Sequence, residues 1–207
     1  MTGFSIRRGK EGQIIEAAAH MFSVKGFSGT SVSEIAENAC VGKGTIYEYF
    51  DSKEELFFKV FEWFSRELAS SITVNISVLG GSASGRLSAI GESIIASWDQ
   101  IKGMFSLVFE FWAASASSHG KERFKASFRD IYSDYRKIIS SLIMEGIERG
   151  EFRADLDAKA LAAALVGTWD ALFLQAWFDD DFDLQGTSRG FMKTLQEGMR
   201  EKEGHGE

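Results

Sequence analysis

The chain has 207 residues and a net charge of −7, from 23 Lys and Arg against 30 Asp and Glu, with 44% apolar and 26% charged residues. This is an ordinary globular composition, which sets a soft prior of one or two domains and excludes disorder over most of the length and any collagen-like build. Cys40 is the one cysteine, so an intrachain disulfide and a cysteine zinc cluster are both excluded, and a reducing compartment suits the chain.

There is no proline and there are 21 glycines. Long helices with glycine at their turns are therefore expected. Met1 to Glu11 shows no apolar run after its basic residues, so no secretory leader is predicted. The uncharged stretch Leu68 to Gly85 is too polar to span a bilayer. A soluble cytosolic protein without a membrane partner is the expectation.

In chain order, Ile14, Ala18, Met21, Phe22 and Lys25 keep helical spacing over Arg8 to Lys25. Gly26 reads as the residue just past that helix, with Phe27 packing back on its last turn. Ser31 and Glu34 form a capping box that starts a short helix at Val32, with Ile35, Ala36 and Ala39 facing inward. Val41-Gly42-Lys43-Gly44 is a turn, and a second short helix carries Thr45 to Phe50. Asp51 or Ser52 caps a long helix with Leu56, Phe57, Val60, Phe61, Phe64 and Leu68 on its apolar stripe. Its tail to Leu79 reads as helix rather than an isolated strand, and Gly80 to Gly85 reads as a linker. Further helices are predicted over Arg86–Gln100, Met104–Ala116, Lys121–Arg149, a segment capped by Asp157, and about Thr187–Lys202. His119-Gly120 is a break, Gly150 a stop, and Glu203 to Glu207 a frayed tail.

The chemistry concentrates in the two short helices. A helix pair this short needs a third helix to pack on. The known use of such a pair is to lay one helix across the DNA backbone and the other in the major groove. Gly42, Gly44 and Thr45 keep the tip of the second helix small enough to approach base edges. Lys43 can meet phosphate or guanine, and Thr45 offers a hydroxyl and a methyl. Tyr47 and Tyr49 suit sugar-phosphate contacts, and Lys53 sits at a phosphate position.

The stretch from Thr30 to Leu56, and above all Lys43-Gly-Thr-Ile-Tyr-x-Tyr-Phe50 followed by Ser52-Lys-x-Glu55, resembles the DNA-binding segment of the TetR family of transcriptional regulators. Ile14 to Thr30 is similar to that family's first helix. The resemblance covers about the first quarter of the chain. It implies an all-α homodimer of about nine helices per chain: a three-helix helix-turn-helix domain, residues 1–53, and a larger helical bundle, residues 54–207, for dimerisation and ligand binding. It also implies a repressor on a palindromic operator, released by a small molecule. By matching positions, Thr30, Ser31, Lys43, Gly44, Thr45, Tyr47, Tyr49 and Lys53 are the DNA-contact candidates, and Ala36, Val41 and Ile46 set the angle between the helices. Three positions depart from the pattern: Cys40 where glycine is common, Gly42 for the usual capping serine, and Glu48 on the recognition helix.

Trp98, Phe105, Phe109, Trp112, Phe128, Tyr132 and Trp169 are candidates to line a cavity for an apolar or aromatic ligand. A plain core is the simpler reading of any one of them. Glu110 and Asp170 add polar selectivity or lie on solvated helix faces. The dimer surface is expected on the last two long helices, with Leu165, Leu172 and Phe173 in it. Asp179 to Asp183 lacks the glycine and closing glutamate of a calcium loop, so it reads as an acidic turn. His20, His119 and His205 are too scattered for a metal site or triad, and no cofactor is implied. No zinc-protease, phosphate-loop or serine-hydrolase motif is present, which disfavours an enzyme. The alternative is a helical ligand-binding or adaptor protein that does not read DNA, which the net acidity suits.

Overall fold

A computed structural model describes residues 9–76, 81–117 and 120–200. Among these there is no strand. Ten α-helices follow in order: α1 Lys10–Gly29, α2 Val32–Asn38, α3 Lys43–Tyr49, α4 Lys53–Ile76, α5 Ala83–Ala96, α6 Trp98–Ile101, α7 Ser106–Ser117, α8 Lys121–Glu148, α9 Ala158–Phe178 and α10 Leu184–Met199. A 3-10 turn, Lys102–Met104, joins α6 to α7. Nine helices span seven residues or more, and α6 is a four-residue turn. The readings at Val78 and Leu79, His119, His205 and the Glu203–Glu207 tail lie outside the described residues.

The chain divides into two compact units. The first holds residues up to 70 together with 99–127. Its core is a phenylalanine cluster. Phe57 meets Phe22 edge-on at 5.2 Å and lies tilted against Phe27 at 4.8 Å, Phe111 at 5.1 Å and Phe124 at 5.7 Å. Offset and edge-on rings of this kind add about 0.5–1.5 kcal/mol per pair beyond the area they bury. The Ser106 hydroxyl donates to the Ser23 carbonyl at 2.8 Å and ties α7 to α1. Gly26 interrupts α1 with φ 73°, and a Cβ there would stand 2.7 Å from Glu110 Oε1. Only glycine satisfies both the backbone angle and that approach.

The second unit holds residues 71–98 and those from 128 on. Here α5, α9 and α10 pack together. Ser82, expected in a linker, instead caps α5 by accepting from the Gly85 amide at 3.0 Å. Ala83 is buried and neighbours Gly146, against which the Phe152 ring lies, so the glycine- and serine-rich stretch from Ser82 to Gly85 is anchored helix start, not linker. Gly91 leaves room for the Trp169 indole. The Gln196 amide donates to the Ser84 carbonyl and the Ser88 hydroxyl, at 2.9 and 2.8 Å. Glu145 pairs with both Arg86 and Arg149, and the hydrogen bond from Arg86 leads in holding its carboxyl below the ordinary range.

Gly150 ends α8 with φ 70°; its amide bonds to Ile147 O and the Glu151 amide to Gly146 O. That is the glycine stop expected from the sequence, with both trailing carbonyls satisfied. Asp157 caps α9 by accepting from the Lys159 and Ala160 amides. Asp179 and Asp183 accept from the amides of Asp181 and Gly186, so both carboxylates serve the turn into α10. α10 therefore begins at Leu184, earlier than its periodicity suggests.

Among the described residues α9 alone is long and apolar enough to cross a bilayer by length and composition. Its large side chains Leu165, Trp169, Leu172 and Phe173 are buried within the unit, while Ala160, Ala163, Ala164, Gly167 and Ala171 are exposed. This bears on the expected dimer residues. Leu165, Leu172 and Phe173 are buried in their own chain's core, and the middle of the open side of α9 carries small residues, with Lys159 before them and Gln175, Trp177 and Phe178 exposed toward its end.

Candidate nucleic-acid interface

The site begins with the cap of α2. Ser31 Oγ accepts from the Glu34 amide at 3.2 Å, and Glu34 Oε2 accepts from the Ser31 amide at 2.8 Å. Lys25 donates to the other Glu34 oxygen at 2.6 Å. The Lys25 hydrogen bond, then the Ser31 amide and hydroxyl, hold the Glu34 carboxyl down to about 2. The exposed Ser31 side chain is thus a working helix cap at the edge of the site.

Between the helices the chain makes a tight reversal. Cys40 has φ 53°, its amide bonds to Glu37 O at 3.1 Å, and the Val41 amide bonds to Ala36 O at 3.0 Å. Those two bonds around a left-handed residue define a Schellman stop. The departure at Cys40 is therefore at the one position of the turn whose backbone favours glycine. Ala36 and Ile46 are buried and Val41 half-buried, as expected of residues that set the angle between α2 and α3.

Gly42 precedes α3 without a side-chain cap, and the Thr45 amide bonds to its carbonyl at 2.9 Å. Ile46 and Phe50 turn inward, 1% and 3% exposed. Lys43, Gly44, Tyr47, Glu48 and Tyr49 are exposed and Thr45 is half-buried. Tyr47 and Tyr49, at 49% and 47%, are among the most exposed large hydrophobic side chains of the described residues. An aromatic held this far into water without covering a core is the kind of residue that meets a partner.

Two expected contacts behave differently. Thr30 is 2% exposed, and its hydroxyl lies 2.8 Å from the Gly26 carbonyl. Its side chain belongs to the fold. Lys53 donates to Phe27 O at 2.8 Å and Thr30 O at 3.0 Å. Both residues fasten the loop before α2 to the start of α4, a long-range role that local sequence does not reveal.

The seven candidate ligand aromatics fall in both units. Phe105, Phe109 and Trp112 lie in the first, where Phe109 meets the other two edge-on at 5.7 and 6.1 Å. In the second, Trp98 stacks on Phe173 at 5.5 Å, Phe128 lies 6.4 Å from Tyr132, and Trp169 is buried. The Tyr132 hydroxyl donates to Asp170 Oδ2 at 2.6 Å. Burial raises the titration of Asp170, Tyr132 and Tyr135. A cleft of about 470 Å³ in the first unit, with Phe27, Phe58, Glu110 and Arg123 on its walls, and one of about 250 Å³ between α5 and α10 are lined by none of the seven. Among the described residues no group of His, Cys, Asp and Glu is arranged to hold a metal ion.

A pair of seven-residue helices, the first closed by a capping box, braced by α1 and presenting an exposed lysine and two exposed tyrosines on the second, is a helix-turn-helix unit of the kind that reads duplex DNA. Residues 14–60 match the family model for bacterial regulatory proteins of the tetR family, and residues 109–191 match the tetracyclin repressor-like C-terminal domain. The chain belongs to the TetR family of transcriptional regulators. The fatty acid metabolism regulator protein of Bacillus subtilis is 27% identical over 198 residues, covering 95% of this chain and 98% of that protein. The transcriptional repressor KstR2 of Mycobacterium tuberculosis is 28% identical over 148 residues, 72% of each chain. In fold, the chain is similar to FadR of Bacillus subtilis solved with stearoyl-CoA, with TM-score 0.71, 24% identity, and 91% and 98% of the two chains covered.

Proposed function

We propose that this chain is a repressor that binds a palindromic DNA operator as a homodimer and leaves it when a small molecule binds. Residues 1–53 carry the DNA-reading helices, and the effector and dimer surfaces belong to residues 54–207. The observation that carries the reading is the open face of α3, with Lys43, Tyr47 and Tyr49 exposed on a helix that follows directly on α2, itself fixed by a capping box and a Schellman stop. Lys43, Thr45, Tyr47 and Tyr49 are the contacts, with Ser31 at the edge.

The exposed alanine and glycine stripe of α9 supports dimerisation. Small residues let two helix backbones approach closely, and a two-fold interface sets the same stripe against itself. Two tips held about 34–36 Å apart would meet successive major grooves on one face of the duplex. The likeness to a fatty acid metabolism regulator, and to a structure that holds stearoyl-CoA, supports an effector with a long apolar part.

The test is binding of duplexes drawn from the DNA flanking the chain's own gene, followed by fluorescence anisotropy over a salt series. The expected result is a palindrome bound as a dimer, with log affinity falling steeply against log salt. Release by a long-chain acyl-CoA, and not by free coenzyme A, is expected. Binding indifferent to salt, or unaffected by Lys43→Ala with Tyr47→Ala, would leave the adaptor reading standing instead.

A further inference from the structure

The open face of α3 is centred on an acid. Ile46 points into the core. At 100° per residue, the positions turned furthest from it are Gly44 and Glu48, each about 160° away and one helical turn apart. Gly44 carries no side chain, and nothing stands within 4 Å of where its Cβ would be. Glu48 is therefore the exposed side chain turned furthest from the core, flanked by the exposed Tyr47 and Tyr49. Among the described residues no cation pairs with Glu48, whereas Glu34 and Glu55 nearby are paired with Lys25 and Arg123.

A carboxylate in that place cannot rest on a phosphate, because like charges repel. Turned into the groove, it meets base edges rather than phosphates. There a carboxylate is an acceptor only. Guanine presents two acceptors and thymine an acceptor and a methyl, so both reject it. Adenine presents an amino donor beside the N7 acceptor, which opposes the second carboxylate oxygen. Cytosine presents its N4 amino donor alone. The absence of a side chain at Gly44 lets the helix sit close enough for Glu48 to reach that edge.

We propose that Glu48 is the specificity-determining residue of the recognition helix and fixes a cytosine in each half-site of the operator. This rests on the DNA-binding reading above. The cytosine appears twice, related by the operator's dyad. The acid also repels phosphates on every non-cognate site, so it contributes to discrimination at the expense of general affinity.

The experiment is selection from a random duplex library by the wild-type chain, Glu48→Ala and Glu48→Gln, at one salt concentration, with folding checked by circular dichroism. Competition among the four base pairs at the selected position then follows. Wild type is expected to fix cytosine with a preference of about 5- to 150-fold. Glu48→Ala is expected to flatten that preference and bind unrelated duplex more tightly. Glu48→Gln is expected to move it toward adenine, whose N6 and N7 match an amide. If wild type selects a palindrome without a fixed cytosine, or Glu48→Ala keeps the same cytosine with the same preference, the proposal is overturned and DNA binding stands. If none of the three folded chains enriches any duplex, the DNA-binding reading itself fails.

Discussion

The Lys53 ammonium stands 2.8 Å from the Phe27 carbonyl oxygen and 4.2 Å from the centre of the Phe27 ring. A second donor reaches Thr30 O at 3.0 Å. One side chain at the first position of α4 thus holds the loop that leads into α2, and the height of the recognition helix is referred to α4 through it. The same lysine matches a phosphate-contact position by sequence. The structure gives its charge a use within the fold, as a positioning residue.

Lys53→Met separates the two roles. It leaves two carbonyls without their charged donor, and a net loss of about 1–2 kcal/mol is expected for a partly exposed contact of this kind. Thermal melts measure that loss. The salt slope of operator binding is expected to stay near wild type, whereas Lys43→Ala is expected to reduce it by about 1. A slope reduced equally by both substitutions would place Lys53 on the DNA backbone.

Cys40 gives a second prediction. Its φ of 53° costs a side-chain-bearing residue about 1–2 kcal/mol relative to a right-handed conformation. Glycine relieves that strain but loses more entropy on folding, about 0.5–1 kcal/mol. Cys40→Gly is therefore expected to stabilise the chain by up to about 1 kcal/mol, and Cys40→Val, branched at Cβ, to destabilise it by at least about 1 kcal/mol. Urea midpoints check both. A valine that melts like wild type would show that the turn can relax out of the left-handed region.

The DNA-reading segment was legible because its signals are local. Ser31 and Glu34 are three residues apart, and the cap they form needs nothing from elsewhere in the chain. The fold-holding role of Thr30 and Lys53 was not legible because the carbonyls they bond lie four and twenty-six residues away, and no periodicity encodes that. In the second unit Ser82 to Gly85 has the composition of a linker; beside the local Ser82 cap, its anchoring against Gly146 and Phe152, more than sixty residues on, makes it a packed helix start. On α9 most positions are apolar or small, with Lys159, Asp170 and Gln175 the few polar exceptions beside Thr168, so the spacing could not say which face turns in. The bulky Leu165, Leu172 and Phe173 went to the core because filling it needs volume, which left the alanines outside.

Gly146 and Gly167 should respond oppositely to the same substitution. In an open helix interior, Gly→Ala is worth about 0.8–1 kcal/mol of stabilisation. A Cβ on Gly146 would collide with the Phe152 ring, whereas Gly167 has nothing within 4 Å. Gly146→Ala is expected to destabilise by about 1–3 kcal/mol through overpacking. Gly167→Ala is expected to leave the fold of the single chain unharmed. If the α9 stripe is the seam between two copies, Gly167→Glu will lower the sedimenting mass to that of one chain while circular dichroism stays the same. A dimer that survives Gly167→Glu would move the interface to another face.

The pair Tyr132 and Asp170 predicts a pH dependence. Burial penalises the charge of Asp170 and raises its titration, with the Tyr132 hydrogen bond opposing in part. An acid raised in the folded state favours the protonated fold. Its contribution is complete in acid below the ordinary aspartate value of about 3.9, and is lost as pH climbs through the raised one. Asp170→Asn keeps an acceptor for the tyrosine and removes the buried charge. It is expected to melt above wild type near neutral pH, with the gap closing as pH falls toward about 3.5. Tyr132→Phe takes away the donor that eases the charge and is expected to melt below wild type at neutral pH, again with convergence in acid. Should Asp170→Asn melt lower at neutral pH and gain nothing in acid, the carboxylate would be stabilised in its charged form, and a cationic group would have to stand opposite it.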